Sequence, residues 1–217
     1  MVSGCGLIII RFPPLSQTTC NDQEIDIMFL LDSSGSIGDA DFEIARDWLI
    51  SVAKSFQIGK LATQVSVMQF ADDVIPEFDL DDYDTIEQVE NALKNMRLSK
   101  GGTNIAGALK YAAQNITDPG FGARASAPKV VVLLTDGREG RGRDRDQTEI
   151  QAKLLQKAAS VFIIGIGKKQ NTRLLNGMAT EPISDHVKSA ETYEDINKFK
   201  SSLTKEGSDI CAILPSS

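Results

Sequence analysis

The sequence predicts an α/β domain with a doubly wound, mostly parallel central sheet, one antiparallel edge strand and helices on both faces. Three observations carry this. Short apolar runs alternate with amphipathic stretches from Asp26 onward. Two of the runs, 25–31 and 130–134, are nearly continuous, as in strands covered on both faces. A third, 74–78, contains Pro76, which lacks the N–H an interior strand must donate and so belongs at an edge.

The elements follow in order. Residues 25–31 are broken only by Asp26 and end in Asp32, a buried central strand. Asp39 is placed to start a helix whose apolar positions Phe42, Ile44, Ala45, Trp48, Leu49, Val52, Ala53 and Phe56 recur at helical spacing before Gly59. Strands over 65–70 and 74–78 form a hairpin around Ala71-Asp72-Asp73. Ile86, Val89, Ala92, Leu93 and Met96 mark a second helix. After Gly101-Gly102 a third runs from about 104 to 114 with Ile105, Ala108, Leu109 and Ala112 inward. The strongly apolar 130–134 run ends in Thr135-Asp136-Gly137. A charged stretch then leads to a helix expected to turn Ile150, Leu154, Leu155 and Ala158 inward. A strand over 161–166, a helix over 172–178, a short strand over 187–189 and a last helix from about 193 to 203 complete the pattern.

The chain has 217 residues, enough for one domain with a sizeable core. Residues 1–19 read as a leader remnant or linker, 20–211 as the domain and 212–217 as a C-terminal tail. Thirty acidic against 23 basic residues give a formal charge of −7, which argues against nucleic acid or an anionic membrane surface as partner and makes cations natural ones. No stretch approaches the roughly 20 apolar residues that span a bilayer, so no membrane insertion is expected. Cys20 and Cys211 flank the periodic region. A disulfide between them would tie the ends of the domain if its termini are adjacent, worth up to about 5 kcal/mol; the alternative is a pair of reduced intracellular thiols. Cys5 would then be left odd. Asn115-Ile116-Thr117 is a sequon, which makes Asn115 a candidate glycosylation site.

The chemistry lies where two strong strands end. Asp32-Ser33-Ser34-Gly35-Ser36 follows one and Thr135-Asp136-Gly137 follows the other, and in an open parallel sheet ligands gather at the carboxyl ends of strands. Lys100-Gly101-Gly102-Thr103-Asn104 adds a loop-to-helix junction. If it lies beside the first two, the rim presents Asp32, Ser34, Ser36, Thr103 and Asp136, hard oxygen donors with no sulfur or imidazole among them. Such a set favours Mg2+, Mn2+ or Ca2+ over zinc or copper. Taken singly, each segment has a plainer explanation, a helix cap for the serines and tight turns for the glycines.

Asp32-x-Ser34-x-Ser36, Thr103 and Asp136, in this order and at these places relative to the strands, resemble the metal-ion-dependent adhesion site of von Willebrand factor type A domains, the I domains of integrins. The stretch Gly120-x-Gly122-Ala123-Arg124 and the run Ile164-Gly165-Ile166-Gly167 are also similar to that family, and the resemblance covers about 20–211. It implies the Rossmann-like fold of the family. It also implies that Ser34, Ser36 and, once a ligand is bound, Thr103 coordinate the cation directly, while Asp32 and Asp136 hold its waters. With few bound carboxylates the ion keeps positive character and one open position for an acidic side chain of a partner.

The expected function is therefore that of a secreted adhesion or matrix-interaction module. Its partner would be a matrix or cell-surface protein supplying a carboxylate, collagen among the possibilities, and Gly102, Arg138 and Arg141 are candidate contacts around the rim. The alternative is a structural matrix component in which the metal mainly orders the loops. Catalysis is not expected: the sole histidine, His186, lies late in the chain with no serine in a nucleophile elbow.

Overall fold

The computed structural model describes residues 24–137, 145–168 and 170–200. Six strands form one sheet in the order β3-β2-β1-β4-β5-β6: β1 (Ile25–Asp32), β2 (Thr63–Phe70), β3 (Val74–Phe78), β4 (Lys129–Thr135), β5 (Ser160–Ile166) and β6 (Val187–Ala190). All neighbours pair in parallel except β2 and β3, which form the antiparallel hairpin that puts Pro76 on the edge. The expected fold class is the observed one.

Alternation along β1 divides the core in two. Ile25, Ile27, Phe29 and Leu31 join the face covered by α1 (Asp39–Ala53), α2 (Ile86–Asn95) and a 3-10 helix at Glu194–Phe199. Met28 and Leu30 join the face covered by α3 (Ile105–Asn115), α4 (Arg145–Gln156) and α5 (Thr172–Met178). A one-turn helix, α6 (Ile183–His186), precedes β6. Both faces of β1 and β2 are buried throughout; β1 accordingly reads as a nearly continuous apolar run, whereas β2 buries Thr63, Gln64, Ser66 and Gln69 among its apolar residues.

Three details depart from the periodicity. Strand β2 begins at Thr63 rather than Val65, because Thr63 and Gln64 are polar yet buried. On α4 the buried residues are Thr148, Ala152 and Leu155, whereas Ile150 and Leu154 are 48% and 47% exposed, contrary to the inward placement expected of them. The helix packs against α3. The described part of the last helix, Glu194–Phe199, is 3-10 rather than α.

The end of the sheet away from the candidate site is held by charge. Asp26 is fully buried within β1, and it accepts from the Arg124 backbone N–H at 2.8 Å, the Arg124 guanidinium at 2.7 Å and the Lys129 ammonium at 2.6 Å. Lys129 donates further to the carbonyl oxygens of Arg124 and Ala127. The loop carrying Arg124 turns at Gly122, whose φ of +77° and whose absent Cβ, 2.6 Å from the Asp81 backbone nitrogen, both require glycine.

Candidate metal site

The strand order reverses at β1, which pairs with β2 on one side and β4 on the other. The carboxyl ends of β1 and β4 therefore open onto a common crevice, and Asp32 and Asp136 stand there. A chain of hydrogen bonds links them. Ser34 N–H donates to Asp32 Oδ1 at 2.9 Å, and the Thr135 hydroxyl donates to Asp32 Oδ2 at 2.7 Å. The Ser36 hydroxyl donates to Asp136 Oδ2 at 2.7 Å, and the Ser34 and Ser36 hydroxyl oxygens lie 3.1 Å apart. Asp32 is 1% exposed, Asp136 9%, and Ser36 faces solvent, so the group deepens from an open hydroxyl to a buried carboxylate.

The Thr103 loop is docked onto this turn through its backbone. Lys100 N–H donates to Ser33 O at 2.9 Å and Gly35 N–H to Gly101 O at 2.8 Å. Asp72, in the β2–β3 turn, accepts from Gly102 N–H at 2.9 Å, and Asn104 caps α3 by accepting from Gly107 N–H at 3.0 Å. The loop brings Thr103 into the crevice as a buried residue whose hydroxyl bonds to no other described group. Lys100 has φ +64° and Gly101 φ +123°, and a Cβ on Gly101 would stand 2.6 Å from Asp72 Oδ2. Gly101→Ala is expected to cost more than about 1 kcal/mol and to free the loop, read as faster hydrogen exchange at the Gly102 amide. Unchanged exchange there would show that Asp72 does not hold the loop.

The electrostatics centre on the buried Asp32. Burial pushes the Asp32 carboxyl up to about 6, against the lowering effect of its bonds from Thr135 and Ser34 and with a further push from the charge of Asp136. Asp32's described partners are neutral hydroxyl and amide groups. Only two carboxylates take part, and no three Asp, Glu, His or Cys side chains converge to ligand distance among the described residues. A buried carboxylate without a cation, a free threonine hydroxyl and two serine hydroxyls in line fit a hard divalent ion with few direct carboxylate bonds.

The sequence model of the von Willebrand factor type A domain matches residues 26–202. The chain belongs to this family. Among relatives of this VWA domain, collagen alpha-1(XXI) chain of Xenopus laevis is 28% identical over 85% of the chain and 18% of the collagen. Matrilin-1 of Gallus gallus is 29% identical over 98% of the chain and 43% of the matrilin. A solved structure of proximal thread matrix protein 1 from the mussel byssus, described as having a zinc-occupied MIDAS motif, superposes with a TM-score of 0.77 at 24% identity. It covers 86% of this chain and 48% of that one. The VWA domain thus spans less than half the length of these proteins.

Of the site residues expected from sequence, Asp32, Ser34, Ser36 and Asp136 are joined by direct bonds, and Thr103 and Gly102 are brought to them by the docked loop. Arg138, Arg141, Cys5, Cys20 and Cys211 lie outside the described residues, as do the segments 1–19 and 212–217. Asn115 is buried at the end of α3 with its amide turned to Tyr111, so a glycan on this nitrogen would have to pull the residue from its packed face. His186 is buried against the Phe162 ring, its Nδ1 3.0 Å from Pro182 O, and bonds to no serine. Sequence reading missed Asp72 and Thr135 as the groups that hold the loop and orient Asp32. No helix among the described residues is long and apolar enough to cross a membrane.

Proposed function

We propose that this VWA domain is an extracellular adhesion or matrix-interaction module that captures a carboxylate of a protein partner through a divalent cation at the carboxyl ends of β1 and β4. The observation that carries the reading is the bonded series from buried Asp32 through exposed Ser36 to Asp136, a largely hidden negative group that opens to solvent through hydroxyls. Ser34 and Ser36 would hold the ion directly, Thr103 would join them when a partner engages, and Asp32 and Asp136 would act through water. An ion so held supplies a Lewis-acidic position to which an acidic side chain adds.

The donor chemistry favours Mg2+, Mn2+ or Ca2+. The mussel protein's description shows that a site of this kind in that protein accepts zinc, so the ion is chosen by supply as well as by donor type. Gly102, beside Thr103, and Arg138 and Arg141, just beyond Asp136, are assigned to partner contact; the arginines suit acidic groups around the captured carboxylate. The relatives' names support a matrix or cell-surface partner, with collagen among the candidates, and support secretion. The domain is assigned to 20–211, closed by a Cys20–Cys211 disulfide. We rank a purely loop-ordering metal below this reading, because Lys100–Ser33, Gly35–Gly101 and Ser36–Asp136 bonds already fix the three loops.

Capture on immobilised matrix proteins, collagen included, tests the reading. Retention in Mg2+ or Mn2+ that is lost in EDTA is expected; undiminished retention in EDTA would contradict it.

A further inference from the structure

We propose that Asp72 is a positioning residue of the metal site: by holding the Gly102 amide it keeps Thr103 where its hydroxyl can join the cation as a partner's carboxylate arrives. The turn of the edge hairpin thereby sets how tightly the site captures its partner. This rests on the reading above.

The bonding on either side of Thr103 carries the inference, because both of its neighbours in the chain are tied to the β2–β3 turn. Gly102 N–H donates to Asp72 Oδ2 at 2.9 Å, and Asn104 N–H donates to Ala71 O at 2.7 Å. The Asn104 side chain adds a bond from Nδ2 to Asp72 O at 3.1 Å, while its Oδ1 caps α3 on the Gly107 amide. Thr103 is thus buried in the crevice between two pinned points. The bonds to Asn104 use backbone carbonyls of the turn, which any residues at positions 71 and 72 would supply. The bond to Gly102 depends on a side chain, and a carboxylate accepting a backbone N–H is among the stronger hydrogen bonds.

A second observation is that the loop takes a conformation it would not keep unaided. Lys100 has φ +64°, a left-handed value unfavourable to a residue with a Cβ, and Gly101 follows at φ +123°. A Cβ on Gly101 would stand 2.6 Å from Asp72 Oδ2, so the close approach of that carboxylate is written into the loop's own sequence. On the opposite side, Lys100 N–H donates to Ser33 O and Gly101 O accepts from Gly35 N–H. Those bonds fix the loop as far as Gly101. The amide that leads into Thr103 is left to Asp72.

The consequence is a split between ion and carboxylate. Asp72 is exposed and acts through Thr103 rather than on the ion, so Mn2+ held by Ser34 and Ser36 should feel its loss little. Capture of a carboxylate, which calls on Thr103, should lose the benefit of a residue already in place.

Three variants of the full chain test this against wild type, through Mn2+ binding alone and then through binding of acetyl-Gly-Glu-Gly-amide to the Mn2+-loaded protein. Asp72→Ala is expected to weaken peptide binding about three- to ten-fold, with faster hydrogen exchange at the Gly102 amide. Its Mn2+ binding should change by less than about two-fold. Asp72→Asn loses the charge but keeps an oxygen acceptor, and should retain wild-type capture and exchange. Thr103→Val should show the same split as Asp72→Ala, with capture weakened and Mn2+ kept. Equal weakening by alanine and asparagine at position 72 would assign the effect to charge and overturn the proposal. Unchanged or tighter capture by Asp72→Ala would overturn it too, as would full capture by Thr103→Val, and in each case Mn2+-dependent peptide binding by wild type leaves the metal reading standing. Failure of wild type to bind Mn2+ would overturn the metal reading itself, and the positioning role with it.

Discussion

Mg2+ at a hundredfold excess over its dissociation constant is expected to stabilise the domain by about 2.7 kcal/mol, a rise in Tm of roughly 5–10 °C for a chain of this size. Asp136→Ala and Asp32→Ala should abolish the rise without unfolding the domain, because both side chains cap the sheet rather than fill either core face. Differential scanning calorimetry with and without EDTA reads this, and equal shifts in wild type and both variants would put the ion elsewhere. A pH dependence accompanies it. In the chelated protein Asp32 takes up a proton at about 6, above its ordinary value of 3.8, so the folded state binds that proton more readily than the unfolded chain. Stability of the chelated domain should therefore rise as pH falls from 7 to 4, by at most about 3 kcal/mol from this group. Asp32→Asn should stabilise the chelated protein at neutral pH and remove that slope.

Asp26→Ala is expected to cost about 3–5 kcal/mol, a loss that has nothing to do with the metal. The variant strands the Arg124 guanidinium and the Lys129 ammonium, 16% and 10% exposed, around an empty space where both had a carboxylate within 2.7 Å. Asp26 and Asp32 lie at opposite ends of β1, roughly 20 Å apart at strand rise. The two effects should accordingly add: the Asp26 variant melts earlier and still shows the full Mg2+-induced shift. Urea unfolding measures the first and calorimetry the second. A loss below about 1 kcal/mol would mean that solvent reaches the cluster and the ion pairs are worth no more than surface ones.

The sheet was legible because β1, β4 and β5 are nearly pure apolar runs and Pro76 marks the edge. The carboxylates and serines of the candidate site were legible for a related reason: Asp32, Ser34 and Ser36 are contiguous, and Asp136 follows the most apolar strand, so local patterning alone puts both at strand ends. What sequence could not supply is contact at a distance. Asp72 reads as a turn residue, and only the folded chain brings it to Gly102, thirty positions on. Helix α4 misled for a different reason. Its apolar residues Ile150 and Leu154 dominate the pattern, but the face turned to the core is the one that carries Thr148, Ala152 and Leu155, which leaves the other two outside. The sequon's three residues, likewise, say nothing about the burial of Asn115.

The central claim is that a cation at Asp32, Ser34, Ser36, Thr103 and Asp136 keeps a position open for a partner's carboxylate. Water-proton relaxation of Mn2+ added to the chelator-stripped domain tests it most directly, because bound Mn2+ reports each water it carries. One ion per chain is expected to bind with enhanced relaxation, the enhancement is expected to fall when a glutamate-containing peptide is added but not its glutamine counterpart, and Asp136→Ala should bind none. An enhancement indifferent to the glutamate peptide, or the same binding in Asp136→Ala, would contradict the account.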